Sequence, residues 1–174
     1  MHRRPAIAGL LWLPLMAVAA SPPELGELRP QGRGQLRWWG LLIYHIRLWA
    51  RETVDAQNWA QQSLALELEY VRSLSGREIA KRSLAEMRRQ AEIAETKAAT
   101  WLAEMEAAFP DVQAGDRISG LYEPGRAVQF FVNGRPQRRI ADAEFSRLFF
   151  GIWLAPQSSE PALRRQLLEG ALGR

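Results

Sequence analysis

Between Gln35 and Trp49, apolar side chains fall on both parities of an extended chain. Leu36, Trp38, Gly40, Leu42, Tyr44, Ile46 and Leu48 share one face, and Arg37, Trp39, Leu41, Ile43, His45, Arg47 and Trp49 the other, because side chains alternate along a strand. The pattern predicts a single strand covered on both faces, by helices on one and by neighbours, a ligand or a partner on the other. Trp38 and Trp39 then point opposite ways, one into the core and one toward a ligand or partner. Leu64 to Val71 alternates more strictly. Leu64, Leu66, Leu68 and Tyr70 face inward, Glu67 and Glu69 outward, and Ser73 to Gly76 ends the strand.

From Arg77 to Phe109 the period lengthens. Ala80, Leu84, Met87, Ala91, Ala94, Ala98, Trp101, Met105 and Phe109 recur at helical steps and form one apolar stripe. Ser75 is the expected N-cap and Pro110 the stop; one long helix and two with a bend near Gln90 both fit. Strands return at 117–122 and 127–132 around the turn Glu123-Pro124-Gly125. Asn133-Gly134 signals a tight hairpin into a short strand at 138–140. Asp142 is placed to cap a helix through Phe149 or beyond, and Ser159 a last one over 161–168 with proline in its first turn. These elements sum to an α+β domain, an antiparallel sheet with helices on one face.

The chain ends and the charge narrow the setting. Met1-His2-Arg3-Arg4, the apolar stretch from Ala6 to Val18 and the small residues Ala17-Val18-Ala19-Ala20 read as a signal peptide over 1–20. A periplasmic or secreted protein is expected, with an uncleaved N-terminal anchor as the alternative. Residues 21–33, rich in Pro and Gly, read as a leader, and 34–170 as one domain large enough for its own core. No cysteine is present, which excludes disulfides, thiolate catalysis and thiolate metal sites. The net charge of +4 includes Arg3 and Arg4, and the remaining arginines are interspersed with glutamates rather than gathered into the stripe that nucleic acid binding needs. Such a surface is compatible with weak attraction to anionic lipid headgroups.

Candidate chemistry is sparse. His45 has no nucleophile or fellow ligands beside it in the sequence and reads as structural. Glu67 and Glu69 share a face, where paired carboxylates can do acid–base work, but opposite Arg37 and Arg47 they are expected to form cross-strand ion pairs. Gly32-Arg33-Gly34 and Gly125-Arg126 match no phosphate-cradling loop, and neither a cofactor nor a metal is expected. Tyr44 and Tyr70 read first as core.

Four segments, taken in order, resemble the chalcone isomerase-like family in its bacterial exported form. They are Gly40-Leu41-Leu42-Ile43-Tyr44, Ala65-Leu66-Glu67-Leu68-Glu69-Tyr70, Phe109-Pro110-Asp111-Val112 with Gly115-Asp116-Arg117, and Ile152-Trp153-Leu154. The resemblance implies an open-faced antiparallel β-sandwich, with helices layered on one face of a large sheet and a cavity between the layers. Plant members close a flavanone ring with an early arginine, a threonine, a tyrosine, an asparagine and a late serine or threonine. At the last four positions this chain carries Trp39, Ile79, Glu86 and Phe150, and Arg29, Arg33 or Arg37 stands in for the arginine. Losing those hydroxyls and the amide removes the groups that would position a water or hold an oxyanion.

The resemblance therefore implies the fold without the isomerase. It points to a cavity for an apolar or amphipathic, fatty-acid-like molecule whose carboxylate an arginine grips. Arg37, Trp39, Tyr44, Ile79, Glu86 and Phe150 are the expected ligand-binding residues, and a lipid or aromatic small molecule the expected partner. The alternatives are an isomerase or lyase with a rearranged site, for which Glu86 is the titratable candidate, and an envelope protein-interaction module.

Overall fold

The computed structural model describes residues 22–170; the segment read as a signal peptide lies outside them. Six strands form one antiparallel sheet in sequence order: β1 (Arg29–Trp38), β2 (Leu41–Ala50), β3 (Leu64–Tyr70), β4 (Arg117–Glu123), β5 (Ala127–Val132) and β6 (Arg135–Ile140). The helices are α1 (Gly76–Met87), α2 (Glu95–Ala108), α3 (Ala143–Leu154) and α4 (Pro161–Glu169). Register aligns Ile46, Leu68, Ile118 and Val132 across four strands. These side chains share one buried cluster with Leu84, Met87, Trp101, Phe145, Phe149 and Leu167 from the helices. The domain is thus α+β, one sheet face under helices and the other largely open.

The first strand differs from its sequence reading. The chain turns at Trp39-Gly40, with φ of 51° and 77°, so Gln35 to Trp49 is a hairpin and not one strand. Positive φ at both central residues is the geometry of a two-residue turn whose twist suits antiparallel strands. The alternation ran through the turn unbroken because Leu36 and Tyr44, which share a parity, are cross-strand partners. The expectation that Trp38 and Trp39 occupy opposite faces of one strand fails for the same reason. Nor is the hairpin covered on both sides. His45 and Arg47 are exposed on the open face, and only Trp49 is buried there, under Leu25 and Leu28. Those two leucines belong to the segment read as a leader, which also supplies the first half of β1.

The long apolar stripe is two helices. Gln90, in the link between them, donates from Nε2 to the carbonyl of Leu148 at 2.7 Å, pinning the bend against α3. Ser75 makes no capping bond through its side chain; Asp111 Oδ1 instead accepts from Gly76 N at 2.9 Å. Asp142 caps α3 as expected, accepting from Phe145 N at 2.9 Å, and its other oxygen accepts from the Trp101 indole at 3.0 Å. At α4 the serine roles are shifted, with Ser158 Oγ accepting from Glu160 N at 3.2 Å and no cap from Ser159. β6 begins three residues before its expected start, directly after Asn133-Gly134.

Glu67 corrects another expectation. It lies on the open face as the alternation implied, yet it is only 1% exposed. Arg47 Nη1 approaches one carboxylate oxygen at 3.3 Å and Arg117 Nη1 the other at 3.0 Å. The pair with Arg47 matches the cross-strand expectation; Arg37 takes no part in it, its Nη1 donating to Gly40 O at 3.1 Å.

Candidate functional site

Between the covered sheet face, α1 and α3 lies a cavity of about 410 Å³. Its volume falls within the range of roughly 300–1,000 Å³ usual for small-molecule pockets. The exposure of the lining residues separates a floor from a mouth. Leu66, Leu68, Ile118, Phe130, Phe149 and Phe150 are buried, and they come from β3, β4, β5 and α3. Arg37, Trp38, Glu78, Lys81 and Arg82 are exposed and stand at the opening.

Two backbone features make room. Leu66, Gly120 and Phe130 sit side by side on β3, β4 and β5. Gly120 contributes no side chain to that row, and a Cβ there would lie 3.2 Å from the Phe150 ring. In the hairpin, Leu36 faces Tyr44 while Arg37 faces Leu42, which leaves Ile43 as an extra residue. Such a bulge re-aims neighbouring side chains, and Ile43 and Tyr44 both reach the cavity.

Tyr44 is a nearly buried polar group of this wall, at 7% exposure. Its oxygen accepts from the Trp153 indole at 2.9 Å, and its ring stands edge-on to Tyr70 with centroids 5.7 Å apart. Burial, the dominant cause, pushes its pKa well above the ordinary tyrosine value. The hydroxyl therefore keeps its proton, and with Trp153 using a lone pair its hydrogen can turn to an acceptor inside the cavity.

Glu86 is also in the wall and nearly buried, but its oxygens face Arg82 Nη2 at 2.7 Å and Arg89 Nε at 3.5 Å. Arg82 in turn lies over the Trp38 ring, 5.3 Å from its centroid. One acid thus pairs with two guanidiniums, of which that of Arg82 stands at the mouth. Among the described residues no cluster of three His, Asp or Glu could hold a metal.

Of the residues singled out from the sequence, Arg37, Tyr44, Ile79, Glu86 and Phe150 surround this one cavity. Trp39 does not. It sits on the hairpin turn, 89% exposed, and Trp38 takes its place at the mouth. The sequence reading missed Gly120 and Ile43, whose contributions depend on cross-strand register. It also missed Trp153, whose bond to Tyr44 has no local signature.

The chain belongs to the chalcone isomerase-like family, whose profile matches residues 27–169. It is 29% identical over 148 residues to an uncharacterized protein of Haemophilus influenzae, a match covering 85% of this chain and 71% of that protein. Its fold is that of a fatty-acid binding protein of Arabidopsis thaliana, with a TM-score of 0.66 at 12% identity over 84% of this chain and 89% of that one.

Proposed function

We propose that the protein binds an amphipathic carboxylate of fatty-acid type and does no chemistry on it. The observation that carries this reading is the gradation within one cavity, from a floor of Leu, Ile and Phe to a charged mouth where Lys81 and Arg82 pair with Glu78 and Glu86 and Arg37 bonds a backbone carbonyl. A hydrocarbon or aromatic tail fills the floor. Tyr44 donates from the wall, and Arg37, whose guanidinium has five N–H donors and spends one on Gly40 O, grips the head group. The fold shared with a plant fatty-acid binding protein supports the same reading.

Against catalysis, Ile79 and Phe150 bring no proton-transferring group to the cavity, and the Glu86 carboxylate is tied to two arginines. On the signal peptide read over 1–20, we place the protein in the periplasm or outside the cell.

Calorimetric titration with saturated fatty acids of increasing length tests the proposal. Each added methylene should tighten binding about fourfold, at about 0.8 kcal/mol per buried CH₂, until the cavity is full. Affinity independent of length, or turnover of the ligand, would overturn it.

A further inference from the structure

The exposed large apolar side chains in the described residues gather at one place. Trp39 is 89% exposed, Trp38 56% and Leu41 52%, and all three lie at the β1–β2 turn. The backbone makes this notable. Trp39 has φ of 51° at the first central position of the turn, where Asn, Asp or Gly would be unstrained. A bulky residue is costly there, and strain of this kind persists where function requires the side chain.

The charge of the hairpin adds an independent observation. From Arg29 to Ala50 it carries Arg29, Arg33, Arg37 and Arg47 and no carboxylate. Arg37 is exposed beside the tip and Arg33 is exposed further along β1, while Arg29 lies at the far end of the hairpin, opposite Ala50, and Arg47 pairs with Glu67. Tryptophan prefers the level of lipid headgroups, and arginines near it that have no carboxylate on their hairpin are drawn to an anionic leaflet.

We propose that the tip Trp38-Trp39-Gly40-Leu41 docks the protein onto the surface of an anionic phospholipid bilayer. Trp39 and Leu41 enter the headgroup layer and Arg37, with Arg33 behind it on β1, faces the phosphates. Trp38 belongs both to the tip and to the cavity mouth, so docking turns that mouth toward the membrane. The inference does not depend on what the cavity holds.

The absence of cysteine allows a site-specific test on the full chain. An environment-sensitive thiol dye is attached at Leu41→Cys, and in a second protein at Arg126→Cys, in the turn at the other end of the sheet. Vesicles of equal parts phosphatidylglycerol and phosphatidylcholine are added, with phosphatidylcholine alone as the comparison. The dye at 41 should brighten and shift to the blue on anionic vesicles, less so at high salt, while the dye at 126 should not.

Adding Trp39→Asn should weaken the response about tenfold, as expected for removing one large side chain from a half-buried site. Because asparagine tolerates the left-handed backbone, the melting temperature should stay level or rise. No response at 41, an equal response at 126 or on phosphatidylcholine, or a shift that grows with protein concentration without vesicles, as a second copy would cause, overturns the proposal. So does a Trp39→Asn chain that is less stable yet binds vesicles unchanged.

Discussion

Trp153 on α3 donates its indole N–H to the hydroxyl oxygen of Tyr44 on β2 at 2.9 Å, joining residues 109 apart in the sequence. This bond ties the helix over the cavity to the bulged end of the hairpin. It also occupies one lone pair of the hydroxyl, whose hydrogen stays free to turn to the cavity. Replacing Tyr44 by Phe leaves the Trp153 donor buried without its acceptor. The expected cost is about 1–3 kcal/mol of stability, read as a lower urea midpoint with an unchanged slope. Fatty-acid affinity should fall as well; unchanged affinity would remove Tyr44 from the ligand's contacts.

Arg37 separates head-group recognition from tail burial. Arg37→Ala should weaken a fatty acid about 10- to 100-fold, the range for a lost charge-assisted hydrogen bond. The corresponding long-chain alcohol should be nearly unaffected. Equal losses for both ligands would show that the substitution disturbs the cavity and not the carboxylate.

Alkaline pH acts through the buried tyrosines. Burial raises the pKa of Tyr44 and Tyr70 in the folded protein, and that of Tyr122 in the same direction. The unfolded chain ionises first, near the ordinary tyrosine value of about 10. Stability is therefore fully present below that value and falls as pH rises above it, by about 1.4 kcal/mol per unit for each fully buried tyrosine. Urea midpoints between about pH 9 and about pH 11 check this. Tyr70→Phe should make the decline shallower, and an unaltered slope would contradict the assignment.

Glu67 is buried between two arginines that are themselves 46% and 33% exposed. Removing its charge leaves guanidiniums that water can reach, so Glu67→Gln should cost about 1–2 kcal/mol. That is less than the roughly 3–5 kcal/mol of breaking a pair in which both charges are enclosed. A loss in the larger range, seen by chemical denaturation, would mean that Arg47 and Arg117 cannot rehydrate.

How far the sequence was legible depended on the range of the interactions involved. The strict alternation of Leu64 to Tyr70, the Asn133-Gly134 turn and the Asp142 cap are local signals, and each element formed where expected. The turn at Trp39-Gly40 was hidden because a tryptophan occupies a position where turn residues are normally small or polar. The burial of Glu67 was hidden because alternation reports a face and not what covers it. The break between α1 and α2 was legible only as an ambiguity, since the bond that pins it joins Gln90 to Leu148 in another helix. The cavity was legible in composition but not in shape. Gly120 lies beside Leu66 and Phe130 only once the strands pair, and Trp39 left the site when the hairpin turned.

In the sheet, every strand pairs with its neighbour in the chain. The pairings thus link successive strands, and loop-closure entropy grows only slowly with the length of the connection. The packing of α4 on β1 is different. Gly32 and Gly34 lack the side chains that would run into the Leu167 backbone and the Leu163 side chain, so a helix from the end of the domain rests against its first strand. During synthesis the hairpin, β3 and the later strands can pair in the order in which they emerge. The flank of β1 must wait for α4, the last of the described helices to emerge, before it is covered.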